Sequence, residues 1–244
     1  ARRIVDVWRA ALFARTRGVY PVEQANEREC YLADLGEGVQ IAVVGVRPPA
    51  RAVLEVNYGF LFLANGRPMG YGGFTPLFRQ ANTGINIFDP YRGSEAPFLW
   101  TQMLRAFRTL FGCARFVVNP YQFGAGNAEA VRSGALWFYY RLGFRPANVA
   151  AQASGPIATP ASEAARMAAD RSDRCPARTL KVLFAGDLYL DLPDCEPADH
   201  VDEALLPQVG ALASRQLARQ PDRTRRDAHR RLTAQVAHAL GVPD

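Results

Sequence analysis

Lysine is almost missing from this chain. Lys181 is the sole one, so arginine supplies the other 28 of the 29 basic residues. With so much alanine present, that bias fits genome composition and assigns no chemistry. Cysteine and histidine are sparse too. Cys30, Cys113, Cys175 and Cys195 include no CxxC pair, and His200, His229 and His238 lie far from most of them. That spacing argues against a structural zinc site, so no metal is expected. Scattered thiols suit a reducing compartment, so the expected location is cytoplasmic. No apolar run approaches the roughly 18 residues of a membrane span, and no membrane partner is expected. The first residues alternate charged and apolar, unlike a signal peptide. The chain starts at Ala1 and not at Met, which fits a fragment or processed form with room for an upstream element.

What is present is ordinary globular material. Hydrophobic residues make up 49% of the chain and charged residues 21%, enough to fill a real core. The length suggests one large domain, or one domain with a smaller appendage. A net charge of +6 permits a phosphate-bearing cofactor or nucleic acid and demands neither.

Periodicity orders the chain. Ile4, Val7, Trp8, Ala11, Leu12 and Arg15 share one helical face, stopped by Gly18 and Pro21. Residues 22–50 read less clearly. Gln40–Val46 has strand character and Arg47-Pro48-Pro49 is a break. Val53–Leu63 reads as a strand, Asn65-Gly66 as a hairpin turn, and Pro68–Phe78 as the returning strand. A polar turn is expected at Arg79–Thr83, then a third strand at Gly84–Asp89, completing an antiparallel meander. The period then changes. Ser94 is a candidate N-cap, and Leu99, Met103, Phe107 and Leu110 mark one face of a helix ending at Gly112. Arg115–Asn119 reads as a short buried strand and Pro120–Asn127 as a polar loop. Glu129–Leu142 reads as one helix, ended by Gly143. Residues 147–162 look like a linker, followed by short helical pieces, among them Ala204–Arg219 and Asp222–Leu240.

The run Tyr91-Arg92-Gly93-Ser94-Glu95-Ala96, the helix to Gly112, the strand Arg115–Asn119, and Phe138-Tyr139-Tyr140-Arg141-Leu142-Gly143-Phe144 belong together. An Arg-Gly that opens one helix, and a Tyr-x-x-x-Gly-Phe that closes the next, resemble the GNAT superfamily of acyl-CoA N-acyltransferases. The resemblance covers about residues 55–145. It implies an α/β fold with a mixed, mostly antiparallel central sheet flanked by helices. The expected layout is a GNAT-like domain over 1–150, best supported over 52–145, with a linker and helical C-terminal extension over 151–244. It further implies acetyl-CoA or another acyl-CoA as co-substrate, no metal, and a small-molecule or protein amine as acceptor. In such a site the helix N-terminus at Arg92, Gly93 and Ser94 receives a pyrophosphate. The strand residues Ile87 and Phe88 lie along the pantetheine arm. Tyr139 matches the tyrosine that protonates the leaving thiolate. The chain departs from the family loop where glycines belong, with Glu95 adding a negative charge and Pro97 removing an N–H.

The residues themselves leave several roles open. Tyr139 and Tyr140 are adjacent and point about 100° apart on a helix, so one can face a cleft and the other the core. Asp89, then Glu55, are the carboxylates placed to act as base. The loop holding Asn119, Tyr121, Gln122 and Asn127 follows a strand end, where open α/β sheets bind ligands, and Glu129 lies one turn from Ser133. These are the expected substrate contacts. The arginine-rich stretch Arg215–Arg231 admits RNA, DNA or an acidic partner, or is a solvated helix face. Two functions fit: an acyl-CoA-dependent N-acyltransferase, or a non-catalytic GNAT-like ligand- or partner-binding module that has lost the usual CoA loop.

Overall fold

Val39–Val46 and Tyr58–Ala64 hold almost nothing but apolar side chains, and nearly all of them are buried. An antiparallel strand with one wet face would alternate apolar and polar residues; these do not, because both faces of the sheet are covered. The computed structural model describes residues 1–15, 20–51, 56–93, 95–146, 179, 183, 186–202, 205–239 and 241. Its strands are β1 (Ala25–Asp34), β2 (Val39–Val46), β3 (Tyr58–Ala64), β4 (Arg67–Leu77), β5 (Gln80–Ile87), β6 (Arg115–Val118), β7 (Arg145–Pro146) and β8 (Leu188–Asp191). Its helices are α1 (Arg2–Phe13), α2 (Tyr20–Glu23), α3 (Glu95–Phe111), α4 (Pro120–Phe123), α5 (Ala128–Ser133), α6 (Ala135–Arg141), α7 (Leu205–Ala218) and α8 (Arg225–Ala239). The result is the expected mixed sheet, mainly antiparallel and flanked by helices.

The sheet runs β1-β2-β3-β4-β5-β6-β8-β7. The first five strands form an antiparallel meander, and β6 joins β5 in parallel. Strand alternation sorts the core into two layers. On one face, Ile41, Val43, Phe60, Phe62 and Phe74 pack with Leu99, Trp100, Met103 and Phe107 of α3 and Tyr139 of α6. Phe74 stacks on Phe107 with ring centroids 3.6 Å apart. On the other face, Ala42, Val44, Leu61, Leu63, Tyr71 and Phe88 pack with Val5, Trp8 and Leu12 of α1.

Several sequence expectations change. The Asn65-Gly66 turn forms, with φ of 48° and 75°, the left-handed pair that suits a two-residue hairpin. The polar turn placed at Arg79–Thr83 lies one step too late, since β5 starts at Gln80 and the chain reverses at Phe78 with φ 54°. Asp89 belongs to a short 3-10 turn, Asp89–Tyr91, and not to the strand. The single helix at Glu129–Leu142 is two, because Gly134 takes φ 69° and breaks the run between α5 and α6. β1 and β8 went unread. The expected strand start at Val53 and the N-cap at Ser94 lie outside the described residues, as does the whole of the expected linker, 147–162.

The chain divides into two compact units, Ala1–His200 and Val201–Asp244. The first therefore reaches about fifty residues past the boundary that composition suggested, because β8 inserts between β6 and β7. The segment after β8 is tied down by charge. Arg79 bonds Asp194 (2.7 Å) and Asp199 (3.2 Å), and Arg115 bonds Asp191 (2.8 Å) and His200 Nε2 (2.6 Å). The second unit holds α7 and α8, with Arg231 paired to Asp222 at 2.9 Å. Among the described residues, no helix is long and apolar enough to cross a membrane.

β4 carries a direct test of this packing. A Cβ at Gly72 would overlap the Phe60 ring and the Gly84 carbonyl, whereas one at neighbouring Gly73 would meet nothing within 4 Å. Gly72→Ala should destabilise the protein by about 1–3 kcal/mol in chemical denaturation. Gly73→Ala should stay within about 0.5 kcal/mol of the parent.

Candidate active site

The parallel ladder between β5 and β6 is short. It holds Gln80, Ala81 and Asn82 against Arg115, Phe116 and Val117, and stops there. β6 ends at Val118 and the chain turns away into α4, while β5 runs on to Ile87. Among the described residues no strand pairs with that free edge of β5. The gap opens into a cleft of about 520 Å³ lined by Gly84 to Ile87, the start of α3, the loop after β6, and α5 and α6.

Alternation along β5 gives the cleft two sides. Ile85 and Ile87 face the layer that holds α3 and Tyr139. Asn86 faces the opposite way, with Tyr71 directly across the β4–β5 ladder. The Asn86 carboxamide donates to the Tyr71 hydroxyl at 3.3 Å. Gly84, two residues before Asn86, is on that same side. A Cβ there would overlap the carboxamide of Gln122, so the bare glycine is the seat on which that side chain rests.

On the Ile85 side the notable group is Tyr139. Its ring is fully buried, edge-on to Trp100 and Phe144 at 5.5 Å from each. Its hydroxyl oxygen is buried and completes no hydrogen bond. Burial pushes the hydroxyl well above the usual tyrosine range; the nearby Ile85 amide pulls the other way without hydrogen-bond geometry. The group therefore carries its proton at neutral pH. A buried, unsatisfied hydroxyl costs about 1–3 kcal/mol, and native cores seldom keep one without a use.

The third element is the entry to α3. Arg92 Nε donates to the Ile87 carbonyl at 2.8 Å, clamping the end of β5. Its two terminal nitrogens hold Asp89 (2.7 Å) and Glu129 (2.6 Å). Arg92, Gly93 and Ala96 line the cleft. Glu95 opens the helix, is exposed, and is not among the lining residues, so its side chain lies off the cleft wall. The loop opposite is held by Asn127, whose Oδ1 accepts from the Ala130 N–H (3.1 Å) and whose Nδ2 donates to the Tyr121 carbonyl (3.1 Å).

Of the residues singled out from sequence, Ile87, Arg92, Gly93, Tyr121, Gln122, Asn127, Glu129 and Tyr139 converge on this one cleft. Four others do not line it. Tyr140 turns away to pack on Trp137 and under the Arg145 guanidinium. Phe88 points into the α1 layer, beneath the Arg15 guanidinium. Asn119 is exposed at the start of α4. The Asp89 side chain is 83% exposed. Ser94 and Glu55 lie outside the described residues. Sequence reasoning missed Tyr71, Gly84, Ile85 and Asn86. The small and polar residues at alternate positions, Asn82, Gly84 and Asn86, were the available signal.

A second group of polar side chains lies elsewhere. Asp191, Cys195 and His200 bring ligand atoms within 4.8 Å of one another. The Arg115 guanidinium sits against two of the three, so that position already has its cation. Because arginine can only donate, His200 Nε2 is the acceptor in that contact.

No protein-family model and no curated protein matches the chain. Among solved structures it is similar to the N-acetyltransferase PseH of Campylobacter jejuni at 13% identity and a TM-score of 0.30, over 38% of this chain and 60% of that one. The PseH complex with acetyl coenzyme A overlaps at 11% identity and a TM-score of 0.33, over 55% of this chain and 67% of that one. Mutant forms of the spermidine/spermine N-acetyltransferase SpeG of Vibrio cholerae overlap at 18% identity and a TM-score of 0.31, over 38% of this chain and 54% of that one. In the first PseH overlap and in the SpeG overlap, the matched part spans less than two thirds of the other chain.

Proposed function

We propose that this chain is an N-acyltransferase that takes an acyl group, by default acetyl, from acyl-CoA and delivers it to an amine by direct attack. One observation carries the reading. The free edge of β5, the N-terminal turn of α3 and the buried Tyr139 hydroxyl meet in a single cleft. A free strand edge offers N–H donors to a polarised carbonyl, a helix start favours a pyrophosphate, and a protonated phenol beside them can serve a leaving thiolate. The sequence motif points to the same three places.

In this reading the backbone of Gly84 to Ile87 holds the pantetheine arm and the thioester carbonyl. Arg92 and the first turn of α3 hold the phosphates. A carbon–nitrogen bond forms as the carbon–sulfur bond breaks, and Tyr139 gives its proton to the departing sulfur. The attacking amine loses a proton to solvent, which reaches the cleft past the half-exposed Glu129, and Tyr139 is reprotonated. The free cysteines Cys30, Cys113 and Cys195, each with a pKa raised chiefly by burial, suit a cytoplasmic setting.

The Arg92–Glu129 pair works against donor binding. Both side chains are more than a third exposed, so their pairing is worth at most about 1 kcal/mol. A pyrophosphate, with more charge and bidentate geometry, displaces a carboxylate from an arginine. Glu129→Gln should therefore tighten acetyl-CoA binding by about two- to fivefold in calorimetry, and Arg92→Ala should weaken it by about tenfold or more.

Thiol release from acetyl-CoA, measured against a broad amine panel, tests the reaction itself. Tyr139→Phe should lower kcat by about a hundredfold, while leaving thermal stability equal or higher because an unsatisfied hydroxyl has been removed. A variant that lost activity only in step with stability would make Tyr139 a core residue. No thiol release by the parent chain, with any acyl-CoA, would leave a binding module and not an enzyme.

A further inference from the structure

The two sides of the cleft differ in chemistry. The Ile85 side supplies Tyr139 and runs on to the first turn of α3. The Asn86 side supplies Tyr71, Asn86 and Gln122, which are neutral and polar throughout. Among the described residues the Gln122 carboxamide has no hydrogen-bond partner, so its oxygen and both its protons are available. Asn86 and Tyr71 satisfy each other once, leaving the Tyr71 proton and the Asn86 oxygen for a ligand. The charged groups that line the cleft are Arg92, Arg141 and Glu129, and the glutamate is bonded to Arg92.

We infer that the Asn86 side binds the acceptor, and that the acceptor is an amine carried on an uncharged hydroxyl- or amide-bearing scaffold, the chemistry of amino sugars and aminoacyl amides, and not a polyamine. This rests on the transferase reading, in which the donor takes the Ile85 side. Three side chains that can each both donate and accept match hydroxyls and amides, which do the same. An amide that a bound ligand covers and leaves unmatched costs about 1–3 kcal/mol, so the site rejects a scaffold that lacks such groups. A polyamine brings several positive charges to a cleft with two arginines and one committed glutamate, where like charges repel. Gln122 is then the specificity residue. Its reach into the cleft depends on Gly84 having no side chain, and on the early end of β6, which turns the chain into α4 where Gln122 sits.

The test compares D-glucosamine, D-galactosamine and glycinamide with spermidine and putrescine on the full chain. Binding is read first without donor, by ligand-observed NMR, and then thiol release is read with acetyl-CoA. A neutral-scaffold amine should bind and be acylated in preference to the polyamines by about tenfold. Gln122→Ala should raise its Kd and KM by about tenfold, the loss of one matched hydrogen bond, with kcat within about twofold. Preference for spermidine or putrescine, binding by none of the three neutral-scaffold amines, or a Kd unchanged in Gln122→Ala would overturn the inference. If no amine gives thiol release, yet glucosamine binds and Gln122→Ala loses it, then the transferase reading fails and the ligand class stands.

Discussion

Everything at the site depends on where β6 stops. Three residue pairs of parallel ladder hold β5 and β6 together, and then one strand leaves while the other continues. A strand edge that finds no partner in a sheet interior is costly unless something fills the gap or uses it. Here the sheet does not close. The loop and α4 to α6 rise beside the edge and turn the defect into a walled cleft, with backbone donors on the floor. Pro120 contributes to this, since a residue without an N–H cannot continue the ladder, and it opens α4 instead.

The rest of the fold keeps that gap in register. Both faces of the sheet are packed, by α1 on one side and by α3 and α6 on the other, so β5 cannot drift toward β6 without unpacking an aromatic layer. Arg92 ties the last residue of β5 to the start of α3. Tyr139 reaches the strand edge because α6 is a separate short helix, reset by the left-handed turn at Gly134. Glycine enters the design through its lack of a side chain at Gly72 and Gly84, which admit Phe60 and Gln122 against the strands.

Much of this could be read in the sequence, for identifiable reasons. The Asn-Gly turn, the amphipathic faces of α1 and α3, and the Arg-Gly and Tyr-x-x-x-Gly-Phe positions are local patterns, and local patterns survive folding. β1 was hidden because it is an edge strand rich in charge, Asn26-Glu27-Arg28-Glu29, held by its ladder and not by an apolar period. β8 was hidden because four residues make no period, and its place between β6 and β7 is a long-range fact. The cleft residues split the same way. Arg92, Gln122 and Tyr139 stand out by type and position. Gly84 and Asn86 matter only because the neighbouring strand ends early, which no single segment announces. The expected base at Asp89 failed to reach the cleft because its backbone leaves the strand for a 3-10 turn and its carboxylate swings out to Arg92.

In the proposed reaction the unpaired edge of β5 is the donor site. Amide hydrogen exchange, followed by mass spectrometry with and without acetyl-CoA, tests it most directly. With donor bound, exchange should slow in the peptides covering Gly84 to Ile87 and the first turn of α3, and nowhere else. No change there, or protection placed on α7 and α8 instead, would contradict it.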